Sequence, residues 1–483
     1  MTVEKFRLGG VTPIPWLSST KLTALISLGA IAMVLMVMIV VTKSLTLVVA
    51  LAAVGGLCVL MWVRRTSDGR PWLSKFGNHI RSWIGRRARW DDFDPAREDQ
   101  PFLLMHSTRM VSVPAGDGTE LGVLEHPNHM VVVLEVSTTT PGVASDDHLN
   151  RWQNAVVNLH RELADPKNAL VQIDWLTLVR PEDPTQVRTA VPDLAPGLSD
   201  DVVLSMADLP FEATKDAERY YSYAVLCFDI DLLFERVAKP PLTESSGPEA
   251  AYDAAILVAK ILTSKGIEVK AALSPQEIAA LLRAVVDPAQ NPHDVEGCTD
   301  QIFASCPAWR RDATMVTVPS GEQTWWHTSA SFGLDDWPLP LVTGRWLEPI
   351  VFGSQLGYRT IITQARLVPR HAAKKFARDQ LTTAHSKARH IDKQGKIDGG
   401  EAWSKEHLAS DITADIVQYG QIGVIPSVRV MLSGRSRREV NNLFDELQTA
   451  VAECGAEGIT PDHDRPGAAL LRLLPIGMEV PQR

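Results

Sequence analysis

Two short acidic motifs contain the side chains of this sequence that are best suited to holding a cation. Asp229-Ile230-Asp231 directly follows an apolar run, and Asp462-His463-Asp464 lies in a turn-rich region. Carboxylate and imidazole groups are common metal ligands. Paired acidic residues also occur by chance, and charged loop tips are usually solvated, so neither motif predicts a site without supporting geometry. We therefore predict no metal ligand and no catalytic residue.

Cysteines and phosphate-binding glycines provide no stronger candidate. The five cysteines form no C-x-x-C pair, and Cys298 and Cys306 lack a neighbouring histidine that would activate a thiolate. A P-loop requires G-x-x-x-x-G-K-[ST], whereas Gly395-Lys396 is followed by Ile397. The sequence thus predicts a non-enzymatic protein without a cofactor. Its net charge of −9, from 48 basic and 57 acidic residues, argues against direct nucleic-acid binding.

Two uncharged apolar runs lie near the amino terminus. Leu22–Val41 and Leu45–Val63 are each long enough to span about 30 Å as a helix, and only three residues separate them. The pattern predicts a transmembrane helical hairpin over 21–63, after a cytoplasmic tail at 1–20. Basic residues are concentrated on the outer flanks, so the positive-inside rule places both termini in the cytoplasm. The predicted location is a membrane that the chain crosses twice.

A basic, tryptophan-containing stretch follows the hairpin over 64–100. Its apolar and cationic residues recur at helical spacing, which suits a helix lying at the lipid headgroups. A basic linker that obeys the positive-inside rule explains the composition equally well. The predicted membrane-interface residues are Arg64, Arg65, Trp72, Phe76, Arg81, Trp83, Arg86 and Arg87.

The first half of the remaining chain, 101–288, alternates between strand-like and helix-like patterns. Met130–Val136 is typical of a buried strand, Leu170–Val179 alternates as a strand, and Tyr221–Phe228 is another predicted strand. Helical patterns separate them. Ser274 begins a helix with proline at the next position and glutamate three positions on, which is a capping box. The order of elements is β-α-β-β-α-β, that of a ferredoxin-like (split βαβ) unit.

A similar series covers 325–483, after a turn-rich connector at 289–324. Ile422–Ser433 predicts a strand, Ala468–Val480 predicts a closing strand, and a charged helical hairpin is inserted at 369–420. The predicted fold class is therefore α+β: a two-helix transmembrane hairpin followed by two ferredoxin-like halves, the second with an inserted helical hairpin.

Three motifs of the carboxy-terminal half occur in a recognisable order. Trp337-Pro338 comes first, Gly344-Arg345-Trp346-Leu347 follows in a helical pattern, and Leu473-Leu474-Pro475-Ile476-Gly477 comes last. This half resembles the amino-terminal, non-ATPase region of conjugation ATPases of the VirB/TraC class, which often close that region with an L-P-L-G-like motif. Asp462-His463-Asp464 departs from the pattern, because related chains often have a glutamine-containing segment there.

The amino-terminal hairpin resembles the small two-span subunit, of the PrgI type, that partners those ATPases. The whole chain is similar to an actinobacterial integral membrane family found with conjugation genes. The resemblance implies a non-enzymatic inner-membrane scaffold subunit of a type IV-like conjugative transfer machine. Its partners would be membrane lipid, a separate motor ATPase and other membrane subunits in an oligomeric assembly. The family-motif positions are Trp337, Pro338, Pro475 and Gly477.

Two alternatives stay open at this point. The chain also resembles the EccE subunit of type VII secretion, which has two amino-terminal spans, a basic stretch and an α/β domain, but generally lacks a long charged insertion such as 369–420. An alternative of another class is a membrane-bound sugar transferase, in which Asp229 and Asp231 would hold the metal in a D-x-D motif.

Overall fold

The computed structural model describes residues 92–95, 108–115, 119–126, 128–137, 159–160, 162–163, 168–181, 218–237, 246–299, 301, 303–332, 347–368, 423–456 and 458–477, with isolated helical positions between 373 and 410. The chain has two compact units. All the strands that the structure describes belong to the unit formed by 1–10, 90–375 and 414–483, while the other unit comprises 11–89 and 376–413.

The strand-bearing unit is built around one sheet of 12 strands. The first six strands lie in 109–272, which we call the first half of the sheet together with its helices up to Val286, and the last six lie in 310–461, the second half. They are β1 (Arg109–Pro114), β2 (Glu120–Glu125), β3 (His129–Val136), β4 (Leu170–Pro181), β5 (Glu218–Asp229), β6 (Val269–Ala272), β7 (Arg310–Asp312), β8 (Met315–Ser320), β9 (Gln323–Ser331), β10 (Tyr358–Val368), β11 (Gly423–Gly434) and β12 (Thr460–Pro461).

Helices follow the strands in each half. Their described bounds are α1 (Ile230–Arg236), α2 (Ser246–Ser264), α3 (Pro275–Val286), α4 (Glu348–Val351), α5 (Arg437–Glu453) and α6 (Pro466–Leu471), with a 3₁₀ turn at Ser354–Leu356. The α3 start confirms the predicted capping box: Ser274 Oγ accepts from Glu277 N at 3.3 Å, and Glu277 Oε2 accepts from Ser274 N at 2.7 Å.

The strand order contains an internal repeat. Along the main path it is β1-β2-β3-β5-β4-β10-β11-β9-β8-β7, so each half contributes the same order when read from its outer end towards the middle. The two short strands off this path are also equivalent, because β6 pairs with β3 and β12 pairs with β9. The halves meet where β4 and β10 pair antiparallel, from Gln172 opposite Arg366 to Val179 opposite Arg359.

Helices cover both faces of the sheet, which explains the long apolar runs of its strands. In β3, Val131 and Val133 pack on the face covered by α3 and α6, while Val132 and Leu134 pack on the opposite face under α2. We call the face under α3 and α6 the shared face. Its core is continuous across both halves, whereas on the other face α2 and α5 cover separate cores.

This architecture corrects the predicted fold class. Two separate ferredoxin-like halves do not form, because β4 and β10 pair edge to edge and one apolar core crosses the boundary between them. The segment 289–324, predicted as a connector, supplies β7 and β8 to the sheet. The short strands of this segment lie among turns, so hydrophobic periodicity did not indicate them.

The prediction of a two-span inner-membrane protein is also corrected. Within the ranges given above, no helix is both long enough and apolar enough to cross a bilayer. The longest of those helices, α2, has 19 residues, includes Glu249, Asp253 and Lys260, and packs its alanine-rich side on the sheet. The hairpin predicted over 21–63 and the interface residues between Arg64 and Arg87 lie outside the described residues.

Individual elements were predicted with mixed success. The structure confirms strands at β3, β4, β5 and β11 close to their predicted bounds. The closing strand predicted over Ala468–Val480 is wrong, because α6 and a series of turns occupy its described part. Of the helical hairpin predicted over 369–420, only isolated helical positions are described.

Candidate docking site

The D-x-D motif is explained by helix capping. Asp229 ends β5 and is the N-cap of α1, where its Oδ1 accepts from Leu232 N at 3.0 Å. Asp231 lies in the first turn of α1, where an acidic side chain interacts favourably with the helix dipole. Across the described residues, no group of three or more His, Cys, Asp or Glu side chains has the geometry to hold a metal ion.

The second acidic motif is also explained by internal contacts. Asp462 forms an ion pair with Arg429 of β11, and its backbone N donates to the Ser329 carbonyl at 2.8 Å. The side chains of Asp462 and Arg429 are 21% and 5% exposed, so the pair is largely removed from solvent. Burial lowers the pKa of His463, against the opposing effect of the carboxylates of Asp462 and Asp464. This motif therefore fixes β12 to the sheet.

Cys306 and Cys454 are not activated as nucleophiles. Burial raises the pKa of Cys306 to about 12 and that of Cys454 to about 12, so both are thiols at neutral pH. Cys298 Sγ lies 3.9 Å from the Asp294 carbonyl oxygen, within reach of a weak S–H hydrogen bond. Cys306 and Cys454 thus behave as ordinary apolar side chains of the core.

The segment Leu473–Gly477 forms a buried connection between the two halves. We call Leu473–Gly477 the closing segment; its five residues, including Pro475, are all buried. It leaves α6, which contacts β8 and β9, and reaches the first half, where a Cβ added to Gly477 would lie 2.5 Å from Cys227 Sγ and 2.6 Å from Val131 Cγ2. The Gly477 φ of +65° also favours glycine. The positions Trp337 and Pro338 lie outside the described residues.

A buried histidine lies beside the closing segment. His126 follows β2, its Nδ1 lies 3.0 Å from Thr108 Oγ1, and its ring stacks on His129 at 4.4 Å. Burial and, secondarily, the neighbouring His129 lower the pKa of His126 to about 4, while a backbone hydrogen bond with Ile476 acts in the opposite direction. His126 is therefore neutral at physiological pH, and its environment depends on the closing segment being in place.

A carboxyl group is buried where the halves meet. Asp174 of β4 lies directly opposite Gln364 of β10 and is 1% exposed. Gln172 Nε2 donates to both carboxyl oxygens, at 2.9 and 3.1 Å, and Gln364 Nε2 donates to Oδ2 at 3.2 Å. Burial raises the pKa of Asp174 to about 7, although both amides favour the ionised form. Protonation of the Asp174 carboxyl is therefore coupled to the pairing of β4 with β10.

A cationic group is buried on the shared face under the end of α3. Arg180 of β4 donates to the carbonyls of Val179, Arg359 and Ala284 at 3.1, 3.2 and 3.1 Å. Burial lowers its pKa to about 10, so it stays charged. The Ala284 carbonyl belongs to the last turn of α3, where the helix dipole stabilises a cation. Arg180 thereby attaches a first-half helix to β10 of the second half.

A second buried cation has a carboxylate partner. Arg359 of β10 is 0% exposed and forms a bidentate ion pair with Glu218 of β5, at 2.6 and 2.8 Å. It also donates to the carbonyls of Ile350, Val351 and Gly357. Tyr220 Oη donates to Glu218 Oε2 at 2.6 Å, so the carboxylate has several donors. Asp174, Arg180, Glu218 and Arg359 are thus all bound by other groups of the fold.

One outer end of the sheet is covered by an extended segment of the same chain. Phe93 and Trp309, which directly precedes β7, exchange two backbone hydrogen bonds of 2.9 Å in an antiparallel bridge. The Phe93 ring is 4% exposed and stacks on Trp309 at 4.2 Å. The backbone N–H of Arg311 also points outwards from β7, and it donates to Asp92 Oδ1 at 2.8 Å.

The other outer end is β1, which pairs only with β2 within the described residues. Gly122 N donates to Leu273 O, so the backbone of Gly122 faces away from β1. The N–H and C=O groups of successive residues point to alternate sides of an antiparallel strand. Those of Leu121 and Val123 therefore point to β1, where they pair with Val113 and Val111. The backbone groups of Met110 and Ser112 therefore face outwards. The described residues place no hydrogen-bond partner on them.

Nothing in the sequence pattern marks Met110, Ser112 or Phe93 as residues at the ends of the sheet. Met110–Val113 predicts a strand but not its position at the edge, and Asp92-Phe93-Asp94 was included in the basic stretch. Asp174 had a detectable signal, since it is the one charged residue of the apolar run Leu170–Val179. A carboxyl group in a doubly buried strand requires hydrogen-bond partners and often has a perturbed pKa.

The chain was also compared with known proteins. No family model matches it, and neither does any curated protein.

Proposed function

We propose that this protein is a non-enzymatic scaffold subunit of a type IV-like conjugative transfer machine, and that it docks a separate motor ATPase. The proposal is supported by the resemblance of Leu473–Gly477 and its context to the non-ATPase region of VirB/TraC-class ATPases. It assigns to the strand-bearing unit the task of presenting a binding surface to the motor.

The observation that carries the proposal is the role of the closing segment. Gly477 packs on Cys227 and Val131 with no space for a Cβ, so the motif joins the second half of the sheet to the first. The twelve strands then form one body with a continuous core on the shared face. A rigid body of this size suits a subunit that holds a partner in a fixed position.

The buried charged groups are consistent with this role. Arg180, Arg359 and Glu218 bind backbone groups or each other across the boundary between the halves. Asp229 caps a helix, and Asp462 pairs with Arg429. In the described part of the chain, charged side chains are used to fix the relative position of strands, which is what a scaffold requires.

The proposal is tested with purified components. The full-length chain is mixed with the VirB/TraC-class ATPase of the same host at about 10 µM each, a concentration at which a Kd of about 1 µM gives mostly complex. Size-exclusion chromatography with light scattering should show co-elution at the mass of a complex. Separate elution of the two proteins under these conditions, and again at tenfold lower salt, overturns the proposal.

A further inference from the structure

We infer that Cys298 and Cys306 form a reversible disulfide, and that this bond stabilises the segment that covers the β7 end of the sheet. The oxidant is a low-molecular-weight disulfide of the glutathione class. The inference is independent of the proposed function, because it uses only contacts around the turn-rich segment between α3 and β7.

The two cysteines lie at the ends of a short loop that turns back on itself. Thr299 N donates to Ser305 Oγ at 3.2 Å, so the residues directly inside the two cysteines are in contact. Cys306 N donates to the Phe303 carbonyl at 3.1 Å, which forms a further turn at the end of the loop. A disulfide requires two Cα atoms within about 7 Å of each other. A loop that is already closed at residues 299 and 305 brings the two cysteines towards this condition.

One guanidinium group lies close to both thiols. Arg283 of α3 donates from Nη2 to the Asp294 carbonyl at 2.6 Å, and Cys298 Sγ lies 3.9 Å from the same carbonyl oxygen. Burial raises the pKa of Cys306 most strongly, the neighbouring Cys298 raises it further, and Arg283 lowers it. A nearby cation stabilises the thiolate, which is the form of cysteine that attacks a disulfide. Two thiols beside one cation are typical of a redox-active pair.

The exposure of the two thiols determines the order of the reaction. Cys298 is partly exposed, whereas Cys306 is 2% exposed. The Cys298 thiolate attacks the oxidant, forms a mixed disulfide and expels one thiolate. Cys306 then attacks Cys298 Sγ and expels the second thiolate, and the two protons of the cysteines end on the two expelled thiolates. Cys306 is a poor nucleophile towards free reagents, but this second step is intramolecular and is favoured by proximity.

The bond acts on the cover of β7 through Phe303, which lies within the loop. The Phe303 ring packs edge-on against Phe93, with 6.1 Å between the ring centroids. Phe93 in turn stacks on Trp309 and forms the backbone bridge with it. A disulfide that closes the loop restricts Phe303 and, through it, Phe93. We therefore expect the covered end of the sheet to open less often in the oxidised chain than in the reduced chain.

The tryptic fragment 284–310 makes the bond directly measurable. It contains Cys298 and Cys306 but no other cysteine, and no lysine or arginine interrupts it before Arg310. The full-length chain is incubated with an excess of oxidised glutathione, quenched with acid, unfolded in urea, alkylated with N-ethylmaleimide and digested. The fragment should carry no alkyl group and should be two hydrogen masses lighter than its dithiol form. Reduction with dithiothreitol before alkylation should give a fragment with two alkyl groups.

Two variants show whether the pair is specific. Cys298→Ser should abolish the bond, and Cys454→Ala, which removes another buried thiol, is the matched control and should leave the bond intact. Amide hydrogen exchange of 92–95 and 309–312 should be at least about threefold slower in the oxidised wild-type chain than in the reduced chain. The same oxidant should leave this exchange unchanged in Cys298→Ser.

The mass of the wild-type fragment decides the inference without any variant. Two alkyl groups after oxidation, or glutathione on Cys298 with Cys306 still alkylated, would overturn the disulfide. A disulfide that forms without slower exchange at 92–95 would overturn its effect on the cover of β7.

Discussion

Gly477 and Cys227 touch across the shared face, although they belong to opposite halves of the sheet: a Cβ on Gly477 would lie 2.5 Å from Cys227 Sγ. The contact shows how the family-like motif Leu473–Gly477 acts in this chain. It closes the fold by attaching the carboxy-terminal segment to β3 and β5 of the first half, so the two repeats are stabilised as one body.

Replacing Gly477 with alanine should destabilise the fold. The φ of +65° disfavours an L side chain by about 1–2 kcal/mol, and the Cβ would displace Cys227 and Val131, for which overpacking adds about 1–3 kcal/mol. The free energy of unfolding from urea denaturation should fall by about 2–5 kcal/mol.

Gly266→Ala is the matched control for this substitution. Gly266 has a φ of +83° and nothing within 4 Å of an added Cβ. The substitution therefore costs only about 1–2 kcal/mol, which is the cost of placing an L residue in a left-handed backbone conformation. Equal losses for the two variants would mean that the closing segment is not packed on β3 and β5.

Asp174→Asn should change how stability depends on pH. The carboxyl pKa is raised from 3.8 to about 7 in the fold, so the folded chain holds one more proton than the unfolded chain between these values. This stabilisation is fully present below pH 3.8 and is lost as the pH rises through 7.

The measurement is the difference in unfolding free energy between wild type and Asp174→Asn from pH 4 to 8. The wild-type advantage should shrink by about 1.4 kcal/mol per pH unit up to about pH 7 and then stay constant. A difference that is independent of pH would show that Asp174 is ionised in the fold at every pH tested.

His327 should produce a pH dependence of opposite sign. Burial, and secondarily Arg180, lower its pKa from 6.5 to about 3, so the unfolded chain holds the extra proton between these values. Its contribution to stability is present above pH 6.5 and is lost as the pH falls through 3.

His327→Asn keeps an acceptor near Ser433 Oγ, which lies 2.8 Å from His327 Nδ1, and removes the titrating group. The fall in melting temperature between pH 6.5 and 4 should become shallower in this variant. His293→Gln, at a half-exposed loop residue, is the control for the loss of one histidine. Matching slopes in His327→Asn and wild type would contradict the assignment.

Breaking the buried ion pair should be severe. Glu218→Gln leaves the Arg359 guanidinium, whose side chain is 0% exposed, without a counter-charge, and loss of one partner of a buried pair costs about 3–5 kcal/mol. Lys270→Met breaks the more exposed pair with Glu135 and should cost at most about 1 kcal/mol. Similar losses in chemical denaturation of the two variants would show that Arg359 is solvated.

The sequence predicts local elements better than it predicts their pairing. β3, β4, β5 and β11 are apolar runs buried on two faces, and Ser274 with Glu277 marks a helix start through local chemistry. The pairing of β4 with β10 places Asp174 opposite Gln364, a relationship between distant residues that no periodicity reveals. β7 has only three residues and no apolar pattern, so the sequence predicts a connector there and not the outer strand of a repeat.

The candidate site was missed for a related reason. Met110 and Ser112 resemble residues of any short strand, and their outward direction depends on the Gly122–Leu273 hydrogen bond and on the path of the sheet. The acidic motifs Asp229-Ile230-Asp231 and Asp462-His463-Asp464 are conspicuous in sequence, yet the structure uses Asp229 as a helix cap and Asp462 as an ion-pair partner.

The most direct test of the docking account is amide hydrogen exchange of the full-length chain, alone and with the motor ATPase present at saturation. The account predicts slower exchange at one surface of the described residues when the motor is bound, and unchanged exchange at 309–312, which Phe93 already covers. Unchanged exchange throughout the described residues at a saturating concentration of motor would contradict it.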